Sequence, residues 1–123
     1  MWHMKSIRVG ALLLASAFGC SKSPTSPIAD YNLSVQDYSF SPDSLNVQVG
    51  KVIQWTNNGP SAHAVASDSG SWTTMPLAAP GGGGPYGGGS GPISAQLVIH
   101  TPGRYPYHCA IHPTLMHGVL IVS

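Results

Sequence analysis

The sequence predicts an all-β protein built as a two-sheet sandwich. Apolar and polar residues alternate with a period of two in several short stretches, which is the pattern of half-buried strands. Turn-forming residues separate these stretches, and no stretch has a sustained helical period. Short strands joined by such turns are typical of a β-sandwich. The positions that mark the expected strands are Leu33 and Val35; Leu45, Val47 and Val49; Ile53 and Trp55; Leu97 and Ile99; Tyr105, Tyr107 and Cys109; and Val119 and Ile121.

The chain of 123 residues is long enough for one domain, which we place at residues 31–123 because all the expected strands lie there. Residues 20–30 are rich in Ser and Pro and are predicted to form a flexible tether. Within the domain, residues 80–92 consist mostly of Gly and Pro. Because so many glycines would lose much conformational entropy in a regular element, we expect a mobile surface loop there.

Residues 1–19 are predicted to be a signal peptide. Lys5 and Arg8 give a basic start, and the apolar run that follows at 9–18 leads through small residues to Cys20. That run is shorter than the roughly 20 apolar residues that span a bilayer. Its end resembles a bacterial lipobox, which implies acylation of Cys20 and a lipid-anchored protein in the periplasm or at the cell surface. An ordinary signal peptide cleaved nearby is the alternative.

The charge of the exported part disfavours nucleic-acid binding, which needs a basic surface to neutralise phosphates. From residue 20 onward, three basic and four acidic side chains give a net charge of −1 with His neutral. We therefore expect docking to a partner protein to depend on apolar contact more than on long-range steering. The charged residues are Lys22, Lys51 and Arg104, and Asp30, Asp37, Asp43 and Asp68.

A short segment near the C-terminus carries a thiol, an imidazole and a thioether. His112 follows Cys109 by three positions, and Met116 follows His112 by four. A thiolate, imidazoles and a weak thioether are the ligands of mononuclear copper electron-transfer sites. The best candidate for the second imidazole is His63, which follows a turn-rich stretch and begins a predicted strand. Outside the cytoplasm a solitary thiol risks oxidation, and bound metal would explain its presence.

Three other interpretations of these residues remain. Taken singly, a Cys, a His or a Met is more often a packing or surface residue than a ligand. Zinc also binds Cys and His, although structural zinc sites usually contain more thiolates. A disulfide between Cys20 and Cys109 would join a tether to a strand end and would remove the thiolate; no feature of the sequence favours it.

The order of several segments resembles that of the cupredoxins, the small blue-copper family that includes plastocyanin, amicyanin and pseudoazurin. The resemblance covers roughly residues 31–123 and implies a Greek-key β-sandwich. It also implies one copper ion bound by His63, Cys109 and His112 in a trigonal arrangement, with Met116 as the axial ligand. The segments that carry the resemblance are 38–42, 49–50, 52–57, His63, 102–109 and 118–122.

Two neighbours of the expected ligands bear on this interpretation, and the first of them departs from the family pattern. Ala64 stands where many cupredoxins have a polar side chain that ties the two ligand loops, so we expect Asn57, Asn58 or Ser61 to provide the tie. His108 should point away from Cys109, because adjacent strand residues face opposite sides of a sheet. A second, catalytic copper at His108 would need further imidazoles, commonly in His-x-His pairs, which the chain lacks.

The resemblance implies a one-electron carrier that cycles between Cu(I) and Cu(II) and exchanges electrons with redox partner proteins. The alternative is a module that stores or delivers copper without an electron-transfer role. An enzyme is disfavoured because the sequence shows no second metal site, carboxylate pair or nucleophilic triad.

Overall fold

The computed structural model describes residues 27–81 and 91–123, and these residues form nine β-strands and no helix. The strands are β1 (Tyr31–Gln36), β2 (Ser39–Ser41), β3 (Ser44–Val47), β4 (Val52–Asn57), β5 (His63–Ser67), β6 (Met75–Leu77), β7 (Ser94–Val98), β8 (Gly103–Cys109) and β9 (His117–Val122).

Some of the predictions fall on residues outside these ranges. The expected signal peptide, the acylated Cys20 and most of the Gly-rich loop lie there and remain predictions. Across residues 27–81 and 91–123, no helix has the length and apolar character to cross a bilayer.

The strands form two mixed sheets. One has the order β2-β1-β4-β7 and the other has the order β3-β9-β8-β5-β6. In the first sheet β1 runs parallel to β4, and in the second β3 runs parallel to β9. The other neighbouring strands are antiparallel. The predicted all-β, two-sheet architecture is therefore confirmed.

Buried aromatic side chains join the two sheets in a single core. Trp55 of β4 and Tyr107 of β8 are fully buried, and their rings meet edge to face with centroids 5.6 Å apart. Phe40 of β2 packs against the same tyrosine ring at 4.8 Å. Contacts of this kind contribute beyond the apolar area they bury. They hold the sheets face to face and leave the strand ends free to carry the functional site.

The alternation of β9 was predicted in the wrong phase, from Val119 and Ile121. Leu120 and Val122 are buried, whereas Ile121 is 37% exposed. Four consecutive apolar residues, 119–122, leave the phase of the alternation undetermined, and pairing with β8 decides it. Leu120 lies opposite Tyr105, so it shares the inner face with the side chains of the neighbouring strand.

Val49 was also expected to lie in a strand and does not. It follows the end of β3 and is 41% exposed. Its N–H donates to the carbonyl of Ser123, so it belongs to the turn that connects β3 to β4.

Candidate metal centre

The segment between β8 and β9 is a short loop that its own backbone closes. Cys109 is the last residue of β8, and Met116 directly precedes β9. The N–H of Cys109 donates to the carbonyl of Met116 at 3.1 Å, which joins the two ends of the loop. Within the loop, the carbonyl of His112 accepts from the N–H groups of Leu115 and Met116. These bonds fix the positions of Cys109 and His112 relative to each other.

The neighbouring strand brings His63 to this loop. His63 is the first residue of β5, and Val65 two positions later pairs with Cys109 across the antiparallel β5–β8 ladder. Alternation places the side chains of His63 and Val65 on the same face. The N–H of Ala110 then donates to the carbonyl of Ala64, which holds the start of the loop against β5.

The three side chains converge on one point. The Sγ of Cys109 lies 3.7 Å from Nδ1 of His63 and 3.7 Å from Nδ1 of His112. The ligand atoms of all three residues lie within 4.8 Å of one another, and no other group of this kind occurs in the described ranges. Cys109 and His63 are buried, and His112 is half-buried.

These distances fit a metal ion. Bonds of about 2.0 Å to imidazole nitrogen and about 2.3 Å to thiolate sulfur, about 120° apart, separate sulfur and nitrogen by roughly 3.7 Å. The observed Sγ to Nδ1 distances have this value on both sides. One thiolate with two imidazoles is also the equatorial donor set that favours copper in electron-transfer proteins.

Comparison with known protein families agrees with this donor set. The sequence model of the family described as "Copper binding proteins, plastocyanin/azurin family" matches residues 29–123. The chain belongs to this copper-binding family. Comparison with curated protein sequences gives no significant match.

Solved cupredoxin structures have the same fold. A reduced amicyanin variant is 26% identical, with a TM-score of 0.58 over 85% of this chain and 95% of its own. The purple cupredoxin from Nitrosopumilus maritimus is 24% identical, with a TM-score of 0.55 over 76% of this chain and all of its own. Plastocyanin from Dryopteris crassirhizoma is 21% identical, with a TM-score of 0.59 over 75% of this chain and 99% of its own. Family and cluster together indicate one copper ion as the cofactor of this cupredoxin.

The surroundings of Cys109 favour its thiolate. Burial opposes ionisation, but hydrogen bonds from His63, from the backbone at Ala64 and Ile111, and from His112 lower the thiol pKa from 9.0 to about 6. Because the thiolate is the form that binds metal, the site is ready for copper at neutral pH.

We therefore expect the copper-free cupredoxin to show a thiol that titrates near pH 6. The ultraviolet absorbance of the thiolate, followed against pH, measures this midpoint. The same titration of a Cys109→Ser variant supplies the baseline, including any signal from Cys20. A midpoint in the ordinary range of about 8.5 would contradict the expected stabilisation of the thiolate.

A second negative group, Asp37, contacts His63 from the other side of its ring. Oδ1 of Asp37 lies 3.1 Å from Nε2 of His63. Although burial raises the pKa of this carboxyl, hydrogen bonds with Ser61 and His63 outweigh that effect and lower it. Burial lowers the pKa of His63, but its bonds with Cys109 and Asp37 raise it overall. Cys109 and Asp37 therefore favour a positive charge on the imidazole of His63.

Asp37 was missed by the sequence reasoning, which expected the tie near His63 from Asn57, Asn58 or Ser61. Asn57 is buried and organises the β4–β5 loop: its Nδ2 donates to the carbonyls of Ser61 and Ala78, and its Oδ1 accepts from the N–H of Gly59. Ser61 supports Asp37. One feature of the sequence could have pointed to Asp37: it lies in a short turn, and acidic residues are rare in this chain, which has four.

Asn58 does not provide the expected tie near His63. Its Nδ2 donates to Oγ of Ser34 on β1, at 2.8 Å. This bond fastens the β4–β5 loop to the first sheet and does not reach a ligand residue.

Two other expected positions have defined places. Met116 is fully buried at the end of the ligand loop. His108 is half-buried and bonds through Nδ1 to the carboxylate of Asp68, with its ring 6.5 Å from that of His117. It contributes no atom to the cluster of ligand atoms, in agreement with the prediction that it points away from Cys109.

Proposed function

We propose that this cupredoxin is an exported one-electron carrier whose copper is bound by His63, Cys109 and His112, with Met116 as the axial ligand. The observation that carries the proposal is the convergence of Cys109 Sγ and two imidazole Nδ1 atoms at 3.7 Å in a chain of the copper-binding family. Met116 follows from its spacing in the ligand loop and its complete burial. Bound copper would supply a one-electron couple between Cu(I) and Cu(II).

The chain supports this role by holding the donor atoms in place. The hydrogen bond between Cys109 and Met116 closes the loop, and the bond from Ala110 to Ala64 fastens it to β5. Burial of Cys109 and His63 keeps water from their donor atoms. These side chains need to move little when the copper ion changes between Cu(I) and Cu(II). The reorganisation energy of electron transfer therefore stays small.

The half-buried His112 provides the route to a partner protein. Three exposed apolar side chains lie around it: Tyr38 is 58% exposed, Ile111 is 53% exposed and Leu115 is 61% exposed. The ring of Tyr38 packs edge-on against the imidazole, with centroids 5.4 Å apart. A redox partner that docks on this apolar surface would bring its own cofactor close to the imidazole edge. The low net charge of the chain agrees with docking by apolar contact.

Export and anchoring complete the proposal. The basic and apolar start of the chain supports a signal peptide at residues 1–19, and Cys20 is the proposed site of acylation. Residues 20–30 would tether the domain at 31–123 to a membrane in the periplasm or at the cell surface. The buried thiol of Cys109 is compatible with that oxidising compartment if copper occupies it.

Copper titration of the protein, followed by visible absorption, electron spin resonance and redox titration, tests the function. We expect one copper per chain, an intense visible band, a narrow hyperfine pattern and a reversible one-electron couple. His100→Gln is the matched control, because His100 is exposed and follows β7 at the opposite end of the sandwich from the ligands. Its spectra and potential should equal those of the unaltered protein.

The same experiment separates the carrier from the alternative. A protein that stores or delivers copper would release the ion readily to an acceptor after reduction and would exchange electrons slowly. Either result would overturn the proposed role in electron transfer while leaving the copper site in place.

A further inference from the structure

The two nitrogens of His63 face two different groups. Nδ1 lies 3.7 Å from the Sγ of Cys109, and Nε2 lies 3.1 Å from Oδ1 of Asp37. An ionised carboxylate can only accept, so the nitrogen that faces it carries the proton. Nδ1 faces the cluster of ligand atoms, where a metal ion would replace the proton that Nδ1 shares with the thiolate of Cys109. Because the side chain of His63 is fully buried, water does not compete for either nitrogen.

Asp37 reaches the imidazole from a tight turn. Asp37 and Tyr38 alone connect β1 to β2, and Tyr38 has a φ of 68°, in the left-handed region. This turn places the carboxylate beside His63 and the ring of Tyr38 beside His112. A single turn of the first sheet thus contacts both histidines of the site.

The second carboxylate oxygen of Asp37 is also held. Oγ of Ser61, in the β4–β5 loop, donates to Oδ2 at 3.0 Å. The same loop approaches so closely that a Cβ on Gly59 would lie 2.9 Å from both the backbone nitrogen and Oδ1 of Asp37. The carboxylate is therefore confined between Ser61, Gly59 and His63, although 28% of the Asp37 side chain remains exposed.

We propose that Asp37 is a positioning residue of the copper site that orients His63 and favours Cu(II) over Cu(I). This inference rests on the proposed function. The carboxylate accepts the Nε2–H of His63, selects the tautomer with a free Nδ1 and makes the imidazole a stronger donor. Its negative charge beside the ligand also stabilises the more highly charged ion, so Asp37 lowers the reduction potential.

Asp37→Asn and Asp37→Ala separate the two contributions. Asparagine can present an oxygen to Nε2–H but lacks the charge, so we expect a higher potential with little loss of copper. Alanine removes both contributions, and we expect Cu(II) affinity to fall by about 10- to 100-fold, the range typical of such partners. If Cu(I) affinity stays constant, each tenfold loss raises the potential by about 59 mV. Ser61→Ala should shift the potential in the same direction by less.

Asp30→Asn is the matched control. It removes the same charge at the opposite end of the sandwich, where Oδ2 of Asp30 accepts from the N–H of Val52. The control should leave the potential unchanged. The inference would be overturned if Asp37→Asn, Asp37→Ala and Ser61→Ala all kept the reduction potential and the Cu(II) affinity of the unaltered protein.

A measurement without copper distinguishes failure of this inference from failure of the proposed function. Nuclear magnetic resonance of the copper-free protein with a protonated His63 should show a His63 Nε2–H that is protected from exchange, and Asp37→Ala should lose that protection. If the unaltered protein formed no blue-copper centre, the proposed function would fail, whereas the resonance result would still test the role of Asp37. An unprotected or absent Nε2–H in the unaltered protein would overturn the positioning role.

Discussion

Replacing Cys109 with serine is expected to abolish the intense visible band of the copper-loaded protein and to weaken copper binding by more than about 100-fold. The band arises from charge transfer between thiolate and copper, and a hydroxyl neither ionises near neutral pH nor shares charge with copper as a thiolate does. Even loss of a partner behind a ligand costs about 10- to 100-fold in affinity, so loss of a ligand should cost more. Visible absorption and competition with a chelator of known affinity measure the two effects.

Cys20→Ser is the matched control for this substitution. It makes the same chemical change at the chain's other cysteine, which lies in the predicted tether and outside the described residues. We expect its absorption spectrum and copper affinity to equal those of the unaltered protein. A Cys109→Ser variant that kept the band would refute the assignment of Cys109 as a ligand.

Gly118→Ala should strongly destabilise the fold. Gly118 lies in β9 directly opposite Tyr107 of β8, and a Cβ at this position would overlap with the Cζ and hydroxyl oxygen of the tyrosine. Tyr107 is fully buried and packs against Phe40 and Trp55, and these contacts restrict the movement of its ring. Overpacking of a core costs about 1–3 kcal/mol, and we expect the upper end of that range here. For a domain of this size, the midpoint of thermal unfolding should fall by roughly 12 °C or more.

The control for this prediction is Gly91→Ala. A Cβ at Gly91 would meet only the Cβ of Ala78, at an ordinary contact distance of 3.6 Å. Thermal unfolding of the copper-free variants, followed by circular dichroism, should show little change for Gly91→Ala and a large loss for Gly118→Ala. Equal midpoints for the two variants would contradict the proposed overlap with Tyr107.

The parts of the site that depend on local spacing could be predicted from the sequence. Cys109 and His112 lie three positions apart on one loop, so any compact loop brings them together. His63 is 46 positions from Cys109, and its place depends on the pairing of β5 with β8. The resemblance to a known family supplied that long-range relation, which the pattern of apolar residues alone does not contain.

The contact between Asp37 and His63 could not be predicted from the sequence. This contact requires the β1–β2 turn, which stays within the first sheet, to lie beside the β4–β5 loop, which crosses to the second sheet. Nothing in the alternation of apolar residues specifies that approach. The alternation of apolar residues also limits what could be predicted of the fold. Strands with clear alternation were predicted, whereas β2 and β6, each three residues long, were not. In β9 the uninterrupted apolar run concealed which face is buried.

The direction of β1 determines which end of the domain adjoins the predicted tether. Asp30, just before β1, donates its N–H to the carbonyl of Val52 at the start of β4, and both strands then run toward the end that carries His63 and Cys109. The polypeptide thus enters the domain at the end of the strands opposite His63 and Cys109. The proposed lipid at Cys20 would therefore tether the domain by the end opposite its metal site and leave the exposed edge of His112 accessible to a soluble partner.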